Sequence, residues 1–264
     1  MHRARFRIPA QDKEEVLDAL LPLLPAGVRE HGDELSALSG RPFDRAALEA
    51  AAGRSLEGWA VDEVPADWRV RRALMGGGGV LIADRVFVRS PWDPAPAGDL
   101  IDVIVERRGS AFGTGSHPTT QMCIALMLDI PPAGACADLG CGVGTLAIVA
   151  AKLGWSPVVG VDRVPVAIEV ARENAERNGV DVSLAVADLA VDAVPLAALL
   201  LINAPPPVHA RVADAMTGEV RHVIVSGIVS EEVEPVVSRY RELGFEVASG
   251  LGTEDEWVAL RLSC

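Results

Sequence analysis

From residue 101 onward, short apolar runs alternate with segments of helical period, and this alternation constrains the fold more than any other feature of the chain. IDVIVE reads as a strand, a polar Gly-rich loop continues through 118, and a helix spans about 118 to 129. ACADL then precedes GTLAIVAAKLG, PVVGVD precedes VPVAIEVARENAERNG, VSLAVAD follows, and LLLIN precedes VHARVADAM. HVIVSGI and EEVEPVVSRYRELG continue the alternation before FEVASGLG and EWVALRLS end it. Strands alternating with helices build a mostly parallel sheet covered on both faces, an α/β Rossmann-like fold. The last two strands have no helix between them, which predicts a C-terminal antiparallel hairpin.

The first third follows different rules. Arg3 to Ile8 alternates polar and apolar residues as a strand does, and Val16, Leu17, Leu20 and Leu24 recur at helical spacing. Strand-like pieces follow near 26–30, 33–38 and 56–62, with a helix between the last two that starts at Asp44 and stops at Gly53. That β-α-β-β-α-β order predicts a small ferredoxin-like α+β domain over 1–63. Residues 64–100 read as a connecting segment, with short strand signals at 79–83 and 86–89 and a Pro-rich end, SPWDPAPAG, and 101–264 as the second domain.

The strongest local signal is Asp138-Leu139-Gly140-Cys141-Gly142-Val143-Gly144-Thr145, which follows a strand and opens a helix. Glycines let the backbone turn sharply and approach a ligand, and the helix start adds free N–H groups. The spacing is G-x-G-x-G, not the G-x-G-x-x-G that cradles a pyrophosphate, which argues against a nicotinamide-dependent oxidoreductase. S-adenosylmethionine carries no phosphate, and a loop of this shape suits its amino-acid end. Asp138 fits a role holding the ligand's ammonium. Asp162 ends the next strand, 22 residues after Gly140, where a carboxylate accepts ribose hydroxyls. Asp188, ending VSLAVAD, is placed to reach an adenine amino group. Each acid has an alternative reading as a solvated strand end.

The Asp138–Thr145 loop resembles motif I of class I S-adenosylmethionine-dependent methyltransferases. Within that class, Ala111-Phe112-Gly113-Thr114-Gly115-Ser116-His117-Pro118-Thr119-Thr120 is similar to the AFGTGxHxTT signature of the PrmA family, which methylates the large-subunit ribosomal protein numbered eleven. The similarity runs on through DLGCGVGTLAIVAAKLG, VVGVD, ENAERNGV, VSGI and EWVAL, covering 101–264 well and 1–100 only in general layout. It implies an S-adenosyl-L-methionine cofactor bound by the second domain. It also implies a substrate-recognising N-terminal domain and a loop of Phe112, Gly113, Thr114 and His117 that closes over the cofactor. For His117, a helix-start role with bonds to the backbone is the alternative.

Two departures stand out. The family's D-x-D-P after the second strand is Asp162-Arg163-Val164-Pro165 here, so the ribose acid is kept and the second acid is lost. The family's N-[IL]-x-A segment reads Asn203-Ala204-Pro205-Pro206-Pro207. Asn203 is retained at the strand end, where its carboxamide oxygen would orient an acceptor amine; a turn-forming cap is the alternative. The segment also resembles the N-P-P-aromatic motif of exocyclic-amine and glutamine methyltransferases, but no aromatic follows, as stacking a flipped base would require. A different protein or small-molecule acceptor, and a non-enzymatic cofactor-binding homologue, stand as competing readings.

Charge bears on the partner. The chain carries 24 Lys+Arg against 37 Asp+Glu, and the net charge is −3 over residues 1–100 and −10 over 101–264. That balance opposes direct nucleic-acid binding and favours a basic protein substrate. The four cysteines form no CxxC pair, so no metal site is expected. MHRARFRIPAQDKEEV lacks the apolar stretch of a secretion signal, and no apolar run reaches about 18 residues, so a cytoplasmic protein off the membrane is expected. Oligomeric state is not readable from the sequence.

Overall fold

The computed structural model describes residues 2–9, 12–24, 28–31, 34–39, 42–63, 79–106, 115–253 and 256–264. The chain divides into two compact units, one of residues 1–77 with 107–110 and one of 78–106 with 111–264. The first contains β1 (His2–Arg7), α1 (Lys13–Leu20), β2 (Val28–His31), β3 (Glu34–Ser39), α2 (Arg45–Ala52) and β4 (Glu57–Glu63). Its four strands form an antiparallel sheet in the order β2-β3-β1-β4. Alternation along β1 sends Ala4 and Phe6 into a core with Val16, Leu20, Leu35 and Leu48. Asp44 caps α2 by accepting from the Ala47 N–H at 3.1 Å, and Gly53 ends it in the left-handed region at φ +64°.

The second unit begins with β5 (Val80–Ile82) and β6 (Val86–Arg89), which pair as a hairpin. β7 (Ile101–Ile104), the IDVIVE strand, runs parallel to β6 and completes a separate three-stranded sheet. The strand signals at 79–83 and 86–89 within the connecting segment are thus β5 and β6, and they belong to the same unit as the alternating elements. Arg89 ties the two ends of that stretch together, with Nε and Nη2 on the two carboxylate oxygens of Asp102 at 2.7 and 2.8 Å.

The alternating elements follow as α3 (Pro118–Met127), β8 (Cys136–Leu139), α4 (Thr145–Leu153), β9 (Val158–Asp162), α5 (Pro165–Asn178) and β10 (Ser183–Val186). Then come β11 (Leu199–Asn203), α6 (Pro206–Ala215), β12 (His222–Val229), α7 (Val233–Glu242), β13 (Glu246–Gly252) and β14 (Trp257–Ser263). Seven strands form one sheet in the order β10-β9-β8-β11-β12-β14-β13. The first five are parallel, and β14 runs antiparallel to both β12 and β13. The expected closing hairpin is present, with its second strand inserted next to β12. Among the described residues, no helix is long and apolar enough to cross a membrane.

Leucine-rich β11 shows why such a sheet needs helices on both sides. Leu199 and Leu201 point into one core with Ile124, Met127 and Ile148, while Leu200 and Ile202 point into the other with Val212, Val236 and Tyr240. All four β11 side chains are fully buried, as expected of a central parallel strand. Replacing Leu201 by Ala leaves a cavity in mid-sheet and is expected to cost about 2–5 kcal/mol. Urea unfolding followed by circular dichroism reads this as a lowered midpoint, and an unchanged midpoint would contradict the assignment of this strand to the core.

Candidate active site

In the sheet order, β8 lies between β9, which follows it in the chain, and β11, which comes two strands later. The chain leaves β8 towards β9 and leaves β11 towards β12, in opposite directions along the sheet, and this is the point where open α/β sheets form a crevice at their carboxyl edge. Asp138 and Asn203 belong to the two strands flanking it.

The glycine loop is folded by backbone bonds to the neighbouring strand. The Val161 carbonyl accepts from the N–H groups of both Gly140 and Cys141, at 2.8 and 2.9 Å. The Gly144 N–H then closes back on the Cys141 carbonyl at 2.9 Å. Gly140 holds φ +87° with open space where a Cβ would point, so the turn leaves its crevice side clear. Gly144, at φ +85°, starts α4 without a side-chain cap, and a Cβ there would lie 3.1 Å from that of Ala171 on α5.

Asp138 is buried, 1% exposed, and its Oδ2 accepts from the Ala147 N–H at 3.0 Å. Burial, reinforced by the nearby negative charge of Asp162 against the single N–H bond, pushes its carboxyl up from an ordinary 3.8 to about 7. Asp162 is half-buried and differently served. Its Oδ2 accepts from the Gly142 N–H at 2.8 Å and its Oδ1 from the Val164 N–H at 2.9 Å. A carboxylate has about four acceptor sites, so each oxygen keeps one for a further donor.

A crevice is lined by Asp138, Gly140, Cys141, Gly142 and Asn203 together with Thr120, Thr145 and Leu146. Five residues singled out from sequence thus meet at one place, and Asp162 joins them through Gly142. Among the described residues no hydrogen bond engages the Asn203 carboxamide, which stands half-buried at the end of β11. Burial raises the Cys141 thiol well above its ordinary range, so it contributes apolar surface rather than a thiolate.

Two expected site residues sit away from the lining. Asp188 lies two positions beyond the end of β10, exposed, with its Oδ1 on the Ala190 N–H at 2.9 Å and its own N–H on Asp192 Oδ2 at 2.8 Å. His117 is the N-cap of α3, with Nδ1 accepting from the Thr119 N–H at 3.4 Å and its ring edge-on to Trp257 at 5.3 Å. Phe112, Gly113 and Thr114 lie outside the described residues.

Sequence reasoning assigned no role to Thr120, although it stands in the HPTT segment. It is 1% exposed, lines the crevice, and its Oγ1 has no hydrogen-bond partner among the described residues. Its position three residues after the capping His117, on the first turn of α3, was the available signal. Asn174 went unnoticed as well. Its fully buried amide donates to the carbonyls of Val143 and Glu106 at 3.0 Å each and accepts from the Glu106 N–H at 2.9 Å, tying the glycine loop to the end of β7.

Comparisons with known proteins place the chain in a family. The sequence profile of the ribosomal protein L11 methyltransferase (PrmA) family matches residues 67–263. The ribosomal protein L11 methyltransferase of Cupriavidus taiwanensis is 35% identical over 215 residues, spanning 77% of this chain and 71% of that protein. The enzyme of that name from Myxococcus xanthus is 33% identical over 269 residues, spanning 94% and 88%. The crystal structure of ribosomal protein L11 methylase from Lactobacillus delbrueckii subsp. bulgaricus superposes with a TM-score of 0.60 at 25% identity, covering 70% of this chain and 98% of that one. The chain belongs to the ribosomal protein L11 methyltransferase family and is a class I methyltransferase that uses S-adenosylmethionine.

Proposed function

We propose that this enzyme methylates amino groups of ribosomal protein L11, with the cofactor held in the crevice between β8 and β11. What supports the site is the meeting of Asp138, Thr120 and Asn203 on one crevice beside an open glycine turn. The residues present fit the cofactor. An under-bonded buried carboxylate suits its ammonium, the two spare acceptor sites of Asp162 suit the ribose hydroxyls, and the lone Thr120 hydroxyl suits a polar atom of the amino-acid end. When bound, S-adenosylmethionine supplies an electrophilic sulfonium methyl, and the protein's share of the work is alignment and exclusion of water.

Asn203 is the residue on the acceptor side. Its carboxamide oxygen accepts an N–H of the incoming amine and turns the lone pair towards the methyl. A free lysine holds its proton up to about pH 10.4, so the amine has to arrive deprotonated, and desolvation in a closed crevice lowers its pKa. The relatives at 33–35% identity bear the name of the L11 substrate, and the net charge of −10 over 101–264 suits a basic protein. Phe112, Gly113, Thr114 and His117 act in this reading as the segment that covers the cofactor, and Asp188 as the outer polar contact of the adenine. The ferredoxin-like order of residues 1–63 serves substrate recognition, and the enzyme works in the cytoplasm beside the ribosome.

Purified enzyme, purified L11 and S-adenosylmethionine give the direct assay. Intact-mass spectrometry is expected to show whole methyl increments on L11. Unmodified L11, with cofactor binding verified by calorimetry, would rule out L11 as the acceptor.

The raised Asp138 carboxyl sets a pH dependence. The ligand's ammonium binds the ionised form, so cofactor affinity is expected to rise with pH up to about 7 and to fall again above about 8, where an α-ammonium loses its own proton. Asp138→Asn should remove that rise and weaken binding by about 10–100-fold at pH 8, the worth of one charge-assisted hydrogen bond. A calorimetric titration series across pH checks both. An affinity independent of pH in the wild type would contradict the assigned role.

The same group bears on stability with the opposite sign. The folded protein holds the Asp138 proton to a higher pH than the unfolded chain, so this site's contribution is full below 3.8 and lost as pH rises to about 7. Asp138→Asn should therefore raise the melting temperature of the cofactor-free enzyme at pH 8. A lowered melting temperature would show that the carboxylate is compensated there.

A further inference from the structure

The segment after Asn203 departs from the family's sequence, so what holds it has to be found in this chain. The second residue of NAPPP, Ala204, is fixed on three sides. Its N–H donates to the Ser226 carbonyl at 3.0 Å, extending the β11–β12 ladder. Gly227, at φ +77°, presses against it so closely that a Cβ there would come within 2.5 Å of the Ala204 nitrogen. The β12–β14 register shifts between Val225 and Ile228, a bulge that permits this approach. The third anchor is His209, one turn into α6 and fully buried. Its Nε2 lies 2.9 Å from the Ala204 carbonyl oxygen and 3.0 Å from the Ser226 carbonyl oxygen. Two carbonyls are acceptors only, so Nε2 carries the proton and donates to both.

We propose that His209 is a positioning residue for methyl transfer: by bridging the carbonyls of Ala204 and Ser226 it fixes the turn that carries Asn203 and so sets where the carboxamide meets the acceptor. The inference rests on the acceptor-side role of Asn203 given above. Burial keeps the ring neutral, with its pKa pushed down to about 4, so the bridge persists throughout the physiological range. Tyr240 on α7 closes the other side of the imidazole, its hydroxyl 3.4 Å from Nδ1 and its ring edge-on at 6.4 Å. His209 touches neither cofactor nor acceptor in this account and acts through the backbone of Ala204.

The test compares the wild type, His209→Leu, which removes the donor, and His209→Gln, whose amide N–H reaches a similar point. Single-turnover methyl transfer to L11 at saturating cofactor, the dissociation constant of S-adenosylhomocysteine, and hydrogen exchange of the backbone amides at 204 and 208–210 (the prolines between have none) are measured on each. The Leu variant is expected to lose about tenfold or more in rate while product affinity changes less than about threefold, and the Gln variant to recover most of the rate. In an Asn203→Ala background the Leu change should cost little further, because the two act as a unit. A wild-type rate in the Leu variant, no rescue by Gln, or an equal loss in the Asn203→Ala background would each overturn the proposal. If the Leu variant does not fold, His209→Asn, too short to reach the carbonyls, replaces it. If the wild type itself transfers nothing to L11, the acceptor reading fails separately and exchange decides. Faster exchange at these amides with Leu but not Gln supports the bridge, and unchanged exchange refutes it.

Discussion

A carboxylate buried with no counter-charge among the described residues is expensive, and the candidate site is organised around one. Asp138 ends up under the sheet edge because it alternates with Ala137 and Leu139 on a strand buried along its whole length. It has one hydrogen bond from Ala147, and the neighbouring Asp162 adds repulsion instead of relief. Leaving such a group uncompensated costs several kcal/mol unless it takes up a proton. The cofactor-free protein therefore carries an unfavourable interaction that a bound cation removes. In the proposed complex, part of the binding energy for the ammonium would come from cancelling that cost.

The surrounding architecture keeps that carboxylate in place without satisfying it. Val161 and Asp162, at the end of β9, hold the Gly140–Gly142 turn through three backbone and carboxylate contacts, and the Val164 N–H in turn holds the Asp162 carboxylate. Asn174 reaches across from α5 to hold the Val143 carbonyl and, with it, the strand that leads out through Glu106. On the opposite side, the β12 bulge and His209 pin the turn after Asn203. The two walls of the crevice are thus anchored by separate sets of bonds, to β9 and α5 on one side and to β12 and α6 on the other. Either wall can be altered by substitution without dismantling the other.

Much of this was legible in the residues, for physical reasons that differ by element. LLLIN and PVVGVD announce buried parallel strands because their apolar runs are continuous, and the DLGCGVGT loop announces a ligand turn because three glycines adopt φ values that other residues avoid. Asp44 and Gly53 bracket α2 because capping is local chemistry. The partner of β7 was not legible, since period and composition identify a strand but not the sheet it joins. Thr120 and His209 were missed for a related reason. A threonine on an apolar helix face and a histidine in a Pro-rich helix start have unremarkable local signatures. Their roles arise only when α3 packs under the β8–β11 crevice and α6 folds back over β12. Asp188 lies outside the crevice lining with its Oδ1 on the Ala190 N–H, so the adenine contact proposed for it rests on motif position alone.

The central claim is that the amino-acid end of the cofactor sits on Asp138 with its sulfur directed towards Asn203. A crystal structure with S-adenosylhomocysteine tests this most directly. The account predicts the ligand's amino nitrogen within hydrogen-bonding distance of Asp138, its ribose hydroxyls on Asp162, and its sulfur on the side of the crevice that Asn203 borders. A ligand amino group bound elsewhere, with Asp138 still unpaired beneath it, would contradict the account.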